Sequence, residues 1–470
     1  MRKFLPFIFF LVIISVQGQA PKKLNSAEID QALKKLNFLG SVLYVAAHPD
    51  DENTRLISYL SNEINARTGY LSITRGDGGQ NLIGPELKEL LGVIRTQELL
   101  AARRTDGGEQ RFTRAIDFGY TKTPEESMEI WDKDVVLGDV VWAIRTFKPD
   151  VIINRFNHRT SGETHGQHTA SALLGVEAFK LAGNNNAYPE QLKYTEAFSP
   201  TRLYFNTSPW FYGSQDAFDE ADKTNFIKFD TGVYFPWSGL SNPEIAALSR
   251  SQHRSQGFGS SGSRGSQIEY IELIDGEIPE IKGDIFAGID TSWNRLKGGS
   301  TIGKILKEVE ENYNFRDPSE SLPKLIEAYK LIQDLEDSYW KNIKTSEIKD
   351  IILASSGMYI EALSDSPYSS PNQSIEINFE AINRSDIPAV LASVKILPGS
   401  PVLEPNKVLG NNENWSEKVN YTIPKDSKYT SPYWLNKDAN LGTYVVDDPK
   451  LVGLPETPRI TKAIFNLKFY

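Results

Sequence analysis

The chain has 470 residues, of which 40% are hydrophobic and 24% charged, and it contains no cysteine. This length exceeds what one ordinary core supports, so we expect two or three domains. The formal net charge is -10, and the sequence has no basic run that would follow a phosphate backbone, so nucleic acid is not an expected partner. Without cysteine, disulfides and thiolate metal sites are excluded, and any metal must be held by histidines and carboxylates.

The N-terminus has the features of a secretory signal. Two basic residues precede an apolar stretch over 4–16, which small and polar residues follow. We therefore predict a signal peptide over 1–18, cleaved near Gly18 or Ala20, and a secreted or periplasmic protein. The apolar stretch is shorter than the ~20 residues that a spanning helix needs, so stable membrane insertion is not expected after cleavage.

The stretch from about 22 to 190 alternates short apolar runs with helical patterns. The runs expected to form strands buried on both faces are 41–47, 70–74 and 150–154. Between the last two lie a predicted helix over 86–104, with apolar Leu87, Leu90, Leu91 and Ile94, and another helix that ends at Phe147. This alternation predicts an α/β fold with a mostly parallel sheet and crossover helices.

The rest of the chain has three further patterns. Short strands and Gly/Ser-rich loops continue to about 300, with one helix after Asn242. Apolar residues at spacings of three and four then predict a helical connector over 301–365. From 370 to 470 the period changes to two, which predicts a separate β-sandwich-like module that is not needed for chemistry. The module is either complete or lacks later strands, since the chain ends within an alternating apolar run.

Two histidine motifs follow predicted strands. His48-Pro49-Asp50-Asp51-Glu52 comes directly after the first strand, and His165-Gly166-Gln167-His168 follows the strand that ends near Asn154. In an open α/β sheet, ligands bind in a crevice at the carboxyl ends of the strands. We therefore expect the two motifs to converge on one site.

These motifs contain the donor atoms of a hydrolytic metal site. Two histidine nitrogens and one carboxylate leave a position for water, as in catalytic rather than structural zinc. His48 and Asp51 can face one point, whereas Asp50 should project differently and be free to take a proton from water. His168 begins a helix-like run, and His165 lies one turn earlier on the same face if the helix extends that far. Taken singly, each residue could instead be a core or helix-capping residue.

Four segments together resemble the PIG-L (LmbE-like) deacetylases, over about residues 40–190. They are Val45-Ala46-Ala47-His48-Pro49-Asp50-Asp51-Glu52, Thr74-Arg75-Gly76-Asp77-Gly78-Gly79-Gln80, Ile94-Arg95-Thr96-Gln97-Glu98 and His165-Gly166-Gln167-His168. The resemblance implies a Rossmann-like deacetylase domain, placed here over 22–300, with helices on both faces of the sheet. It also implies zinc, or another divalent metal, and an N-acetylglucosamine-type sugar or glycoconjugate as the substrate.

The resemblance also implies residue roles. It makes His48, Asp51 and His168 the metal ligands and Asp50 the general base. His165 matches the position that stabilises the oxyanion or assists proton transfer.

The turn over 74–80 lacks the Lys-Ser/Thr of a phosphate loop and is expected to line the site. Arg75 and Asp77 are therefore candidate substrate contacts.

Several alternatives stay open at this point. His158 and His253 have no evident partner and are expected at the surface or beside the site. The aromatic segments 210–212 and 235–237 either stack on sugar rings or pack in the core. The core chemistry also suits a metal-dependent amidase or esterase on a non-sugar substrate, and a catalytically silent carbohydrate-binding protein is the alternative from another class. The sequence leaves the oligomeric state open.

Overall fold

The computed structural model describes residues 23–159, 165–280, 283–336, 339–399 and 401–469. The predicted signal peptide over 1–18 lies outside these residues, so its cleavage and the export of the protein stay predictions. Within the described ranges, none of the helices combines the length and the apolar character that crossing a membrane requires.

A mostly parallel sheet forms the centre of the first part of the chain. The strands of this part are β1 (Ser41–Ala46), β2 (Arg67–Thr74), β3 (Glu109–Ala115), β4 (Val151–Asn154), β5 (Arg202–Thr207), β6 (Phe226–Asp230), β7 (Tyr234–Phe235), β8 (Leu240–Ser241) and β9 (Ile268–Gly276). The sheet has the order β3-β2-β1-β4-β5-β9-β6, and β7 pairs with β8 separately. Strands β1 to β5 run parallel, and β9 is antiparallel to both of its neighbours.

Helices cover both faces of this sheet. The helices of the whole chain are α1 (Ser26–Leu36), α2 (Thr54–Asn62), α3 (Glu89–Asp106), α4 (Pro124–Trp131), α5 (Lys133–Phe147), α6 (Gly166–Leu181), α7 (Gln215–Glu220), α8 (Asn242–Arg250), α9 (Gly299–Glu311), α10 (Leu322–Asp334) and α11 (Tyr339–Ser355). Leu56 of α2 and Leu99 of α3 pack on one face, and Val140 of α5 and Leu174 of α6 pack on the other. The predicted fold class is therefore confirmed.

The strand order places a crevice beside the first strand. All six residues of β1 are buried, and β1 pairs with β2 on one side and β4 on the other. The chain thus adds strands outward in both directions from β1. The place where the strand order reverses, between β1 and β4, is the switch point of the sheet. The loops after β1 and β4 separate there and leave a crevice for ligands.

Two details differ from the sequence prediction. Strand β3 was not predicted, because the partly buried Glu109, Arg111 and Arg114 interrupt its apolar pattern. Helix α3 begins three residues later than predicted, so Leu87 precedes it. Of the four apolar residues that indicated this helix, Leu87 and Leu90 do not face the core, since they are 58% and 56% exposed. Leu91, another of the four, is buried.

The helices after residue 299 pack against the start of the chain. Leu306 of α9, Leu325 of α10 and Ile348 of α11 share a core with Leu33 of α1. The predicted helical connector over 301–365 thus contacts an element that the prediction assigned to the first domain. The proposed domain boundaries stay predictions.

The last part of the chain is an antiparallel β-rich region of two packed sheets. Its strands are β10 (Tyr359–Ser364), β11 (Ser374–Ile382), β12 (Ala389–Leu397), β13 (Val402–Leu403), β14 (Lys407–Leu409), β15 (Asn414–Thr422) and β16 (Lys462–Phe469). One sheet has the order β10-β11-β15, and in the other β12 pairs with β13, β14 and β16. The rings of Phe379 and Phe465 meet edge to face between the sheets, with centroids 5.9 Å apart.

Residues 424–461, called the strap below, connect β15 to β16 by a path outside the sandwich. The strap lies along β3, the edge strand of the central sheet. The N–H groups of Phe112 and Ile116 donate to the carbonyl oxygens of Gly453 and Gly442 over 3.2 and 2.8 Å. The strap therefore covers an otherwise open sheet edge. The strap, which belongs to the predicted 370–470 module, thus packs against the central domain, and the boundary of that module stays a prediction.

Candidate active site

The turn after β1 brings His48 and Asp51 together. The His48 N–H donates to Asp51 Oδ2 over 2.7 Å, and His48 Nδ1 lies 3.1 Å from the same oxygen. The hydroxyl of Tyr70, on the neighbouring strand β2, donates to the His48 carbonyl oxygen. The turn is therefore fixed from inside the sheet.

Helix α6 brings the second histidine to the same carboxylate. His165 is the N-cap of this helix, and His168 lies in its first turn. His168 Nε2 is 3.4 Å from Asp51 Oδ1. The His168 ring stacks on Phe156, the second residue after β4, with centroids 4.0 Å apart and an interplanar angle of 5°. The two histidine motifs thus converge at the switch point of the sheet.

His48, Asp51 and His168 have the arrangement of a metal-binding group. Their candidate ligand atoms lie within 4.8 Å of one another. His48 Nε2 is 2.7 Å from Gln167 Oε1, and the Gln167 amide donates to the Gly119 carbonyl oxygen over 2.9 Å. Because an amide oxygen only accepts, we infer a hydrogen on Nε2 of His48 and, in the neutral ring, a lone pair on Nδ1.

That lone pair faces a carboxylate oxygen, so a positive charge is needed between His48 and Asp51. In the metal-free protein a proton supplies it. Burial lowers the pKa of His48, but the Asp51 carboxylate more than offsets this and the pKa rises to about 9. Burial raises the pKa of Asp51, but His168 and His48 hold it well below its ordinary value. A metal ion would replace the proton, so this donor set fits a divalent metal.

Asp50 has partners different from those of Asp51. Its backbone has a φ of +89°, a strained conformation for a residue with a Cβ. The Asp50 N–H donates to Glu52 Oε2 over 2.9 Å, and its carbonyl oxygen accepts from Arg250 over 3.2 Å. Asp50 Oδ1 lies 3.0 Å from Arg95 Nη2. Burial raises the pKa of Asp50, and Arg95 opposes this only in part.

Glu52 and His253 are buried hydrogen-bond partners behind this turn. His253 is fully buried, and its Nε2 lies 2.8 Å from Glu52 Oε1. Burial raises the pKa of Glu52, but His253 and Arg103 more than offset this and lower it to about 2. His253 thus lies beside the site, whereas His158 is half-buried outside the metal-binding group. The sequence pattern gave no partner for His253 because Glu52 is 201 positions away.

His165 completes the group of histidines. Its ring centroid is 5.2 Å from those of both His48 and His168. Its Nδ1 accepts the Gln167 N–H over 3.2 Å, so the neutral ring carries its hydrogen on Nε2. Burial and the neighbouring histidines lower the pKa of His165 to about 4. His165 is therefore a neutral hydrogen-bond donor near pH 7.

A cavity of about 700 Å³ opens onto this site. Its lining includes Asp50, Asp51, His168 and Trp210. The Trp210 ring is 66% exposed and is available to a ligand. Other predicted aromatic contacts lie in packing positions, as Phe235, which is 3% exposed, illustrates.

Arg75 and Asp77 lie elsewhere. They are 1% and 3% exposed and do not line the cavity above. Arg75 donates to the carbonyl oxygens of Leu454 and Pro455 in the strap, and Asp77 accepts from the Tyr444 hydroxyl. These positions do not support the prediction that Arg75 and Asp77 contact the substrate.

Three residues of the site were not predicted from the sequence. Gln167 and Arg95 lie in the segments that resemble the PIG-L family, but their spacing does not show that they contact His48 and Asp50. Phe156 has no sequence signal beyond its place after a strand. In each case the partner belongs to another element of the fold.

The fold and the site define an α/β protein with a His-Asp-His group that could hold a metal ion at the switch point of a mostly parallel sheet. Residues 43–179 match the family described as PIG-L: GlcNAc-PI de-N-acetylase. This match confirms the family resemblance for that part of the chain, which is a PIG-L family domain.

The chain is also similar to individual proteins. It is 26% identical over 178 residues to a mycothiol S-conjugate amidase of Streptomyces coelicolor, a match that covers 35% of this chain and 60% of the amidase. A match to the structure of an N,N'-diacetylchitobiose deacetylase from Pyrococcus horikoshii covers 48% of this chain and 83% of the deacetylase chain, at 16% identity and a TM-score of 0.31. A match to the structure of a 4-carboxy-2-hydroxymuconate hydratase from Pseudomonas putida covers 52% of this chain and 99% of the hydratase chain, at 16% identity and a TM-score of 0.35.

Proposed function

We propose that this protein is a metal-dependent hydrolase that removes the acetyl group from an N-acetylglucosamine-type sugar or glycoconjugate. The observation that carries the proposal is the different surroundings of two neighbouring carboxylates. Asp51 faces His48 and His168, whereas Asp50 pairs with Arg95 and lines the same cavity. These surroundings support the assignment of Asp51 as a metal ligand and of Asp50 as the group that moves a proton.

The metal would be held by His48, Asp51 and His168, and their nitrogen and oxygen donors suit zinc first and other divalent ions second. When bound, it would lower the pKa of a water molecule and polarise the acetamide carbonyl. Asp50 would accept the proton of the attacking water, a role that its raised pKa favours.

His165 would act on the other side of the reacting carbonyl. Its Nε2–H group would donate a hydrogen bond to the oxyanion of the tetrahedral intermediate. As a neutral donor it would stabilise the oxyanion by a hydrogen bond rather than by a full charge. The C–N bond then breaks, acetate leaves, and the proton held by Asp50 passes to the amine.

Two observations support a sugar substrate. The description of the matched family names an N-acetylglucosamine-containing molecule. The exposed Trp210 ring lines the cavity, and aromatic rings offer a flat apolar surface with a polar edge of the kind that packs against a sugar ring.

A second candidate is an amidase for a substrate other than an acetylated sugar. The similarity to a mycothiol S-conjugate amidase favours it, and the chain spans about 60% of that relative's length. The metal-binding group and Asp50 would perform the same cleavage on another amide.

One assay separates these candidates. Purified protein is given N-acetylglucosamine, its oligosaccharides, and a panel of other amides, with and without a chelator, and Asp50→Asn is the matched inactive control. The proposal predicts chelator-sensitive acetate release from the sugars. Cleavage of the other amides alone would favour the second candidate. Sugar binding without cleavage in metal-loaded protein would show a silent carbohydrate-binding protein.

We also propose that the protein is exported, on the basis of the charged start and short apolar stretch before residue 18. N-terminal sequencing of the secreted or periplasmic form should give a start near Gln19 or Pro21. A cytoplasmic protein that retains Met1 would refute export.

A further inference from the structure

The strap encloses a buried arginine of the central domain. The Arg75 guanidinium lies 3.4 Å from the centroid of the Trp434 ring. It also donates to the carbonyl oxygens of Leu454 and Pro455 over 3.0 and 3.2 Å. A buried guanidinium needs such partners, because unpaired charge is costly to bury. The position of Arg75 therefore depends on the strap.

The strap also contacts the acidic residue of the same turn. The Tyr444 hydroxyl donates to Asp77 Oδ1, and the Tyr444 N–H donates to the Arg114 carbonyl oxygen over 2.8 Å. The strap passes very close to the domain here, since a Cβ on Gly442 would lie 1.8 Å from the Ile130 carbonyl oxygen. The strap thus binds the turn after β2 through the Tyr444 side chain, while its backbone is fixed against the neighbouring elements β3 and α4.

Arg75 and Asp77 in turn hold helix α3. Arg75 Nη1 donates to Thr96 Oγ1 over 3.0 Å. Asp77 packs directly on the helix at Gly92, where a Cβ would lie 2.1 Å from Asp77 Oδ1. Both contacts lie within four residues of Arg95 along the same helix.

Arg95 connects α3 to the proposed base. It is 3% exposed, and it donates to the carbonyl oxygens of Gly76 and Pro49. Its Nη2 lies 3.0 Å from Asp50 Oδ1. A continuous series of contacts therefore runs from the strap, through the turn after β2 and α3, to Asp50.

We propose that the strap is a positioning element of the active site, which holds Arg95 against Asp50 through Arg75, Asp77 and α3. The inference rests on the proposed function, since it assigns the strap an effect on the proton transfer made by Asp50. It makes the C-terminal region part of the catalytic unit, although no strap residue lines the cavity that holds Asp50.

The first test uses steady-state kinetics on the full-length protein. The double variant Trp434→Ala/Tyr444→Phe should retain metal and KM, while kcat falls about tenfold to a hundredfold, as expected for a misplaced catalytic group. The single variants Trp434→Ala and Trp434→Phe are compared as well. Trp434→Phe keeps an aromatic face over Arg75 and should therefore retain most of the kcat that Trp434→Ala loses. The matched control is Lys437→Ala, which removes an exposed ion pair from the same strap and should leave kcat unchanged.

The second test is hydrogen exchange, which does not depend on knowing the reaction. The double variant should exchange faster than the wild type over 75–80, 92–96 and 49–51, with β11 and β12 unchanged. Faster exchange confined to the strap would overturn the proposal, as would an unchanged kcat. If the wild type releases no acetate from any substrate, the proposed function fails, and exchange still decides whether the strap holds the Asp50 turn.

Discussion

The turns after β1 and β2 follow neighbouring parallel strands, yet they differ in what lies over them. The turn over 47–53 opens onto a cavity, and its polar side chains meet two histidines of the α6 region. In the turn over 75–79, the strap covers the Arg75 and Asp77 side chains and binds them by hydrogen bonds. Polar residues at the carboxyl end of a strand therefore do not all face the candidate metal-binding cavity, since some hold a distant segment of the chain instead.

The two turns also differ in how they reach an unusual backbone conformation. Gly76 has a φ of +72° and Asp50 a φ of +89°. Glycine adopts such angles without cost, whereas aspartate does not. At the covered turn glycine leaves room for Arg95, because a Cβ there would lie 2.4 Å from Arg95 Nη1. At the open turn the strain is retained, which is consistent with a need for the Asp50 carboxylate.

The largest expected effect comes from removing a metal ligand at the open turn. His168→Ala should lose its metal and reduce hydrolysis to background, because two remaining ligands rarely suffice for tight binding. Metal analysis of the purified protein and acetate release measure both effects. His158→Ala, a half-buried histidine outside the group, is the matched control and should keep both. Full metal content in His168→Ala would show that the ion binds elsewhere.

A smaller effect is expected at His165. His165→Ala should retain near-stoichiometric metal while kcat falls on the order of a hundredfold, the usual cost of losing an oxyanion donor. The measurement is kcat together with metal content. An unchanged kcat would remove His165 from the mechanism, and loss of metal would make it a ligand instead.

The smallest effect is expected at the covered turn and concerns stability. Burial raises the pKa of Asp77 to about 6, so the folded state binds more protons than the unfolded state between about pH 4 and 6. This contribution to the free energy of unfolding is full below about pH 4 and is lost as the pH rises through 6.

Asp77→Asn removes this titration and should change the pH dependence of stability by on the order of 1–3 kcal/mol. Denaturant unfolding of wild type and variant at pH 4.5 and 6.5 gives the difference, and the exposed Asp438→Asn is the control. If the free energy of unfolding changed equally with pH in the wild type and in Asp77→Asn, the pKa of Asp77 would not be raised.

The sequence was sufficient to predict features that depend on residues close together in the chain. Strand β1 is a continuous apolar run because all six residues are buried, and α5 ends at Phe147, as predicted, ahead of a proline. The two histidine motifs were expected to meet because each follows a parallel strand.

The sequence was insufficient where partners are far apart in the chain. Arg75 looks like a substrate contact until Leu454, 379 positions later, is seen to accept its hydrogen bond. Strand β3 has a weak apolar pattern, and the strap covers its edge through Gly442 and Gly453. Local periodicity carries no information on such pairs.

The most direct test of the proposed mechanism compares Asp50→Asn with Asp51→Asn. Both substitutions remove one carboxylate charge from the same turn, and metal content and acetate release are measured for each at equal metal supply. Asp50→Asn should hold near-stoichiometric metal and turn over at least about a hundredfold more slowly, whereas Asp51→Asn should bind metal poorly. A metal-free Asp50→Asn beside a metal-loaded Asp51→Asn would contradict the assignment and exchange the two roles.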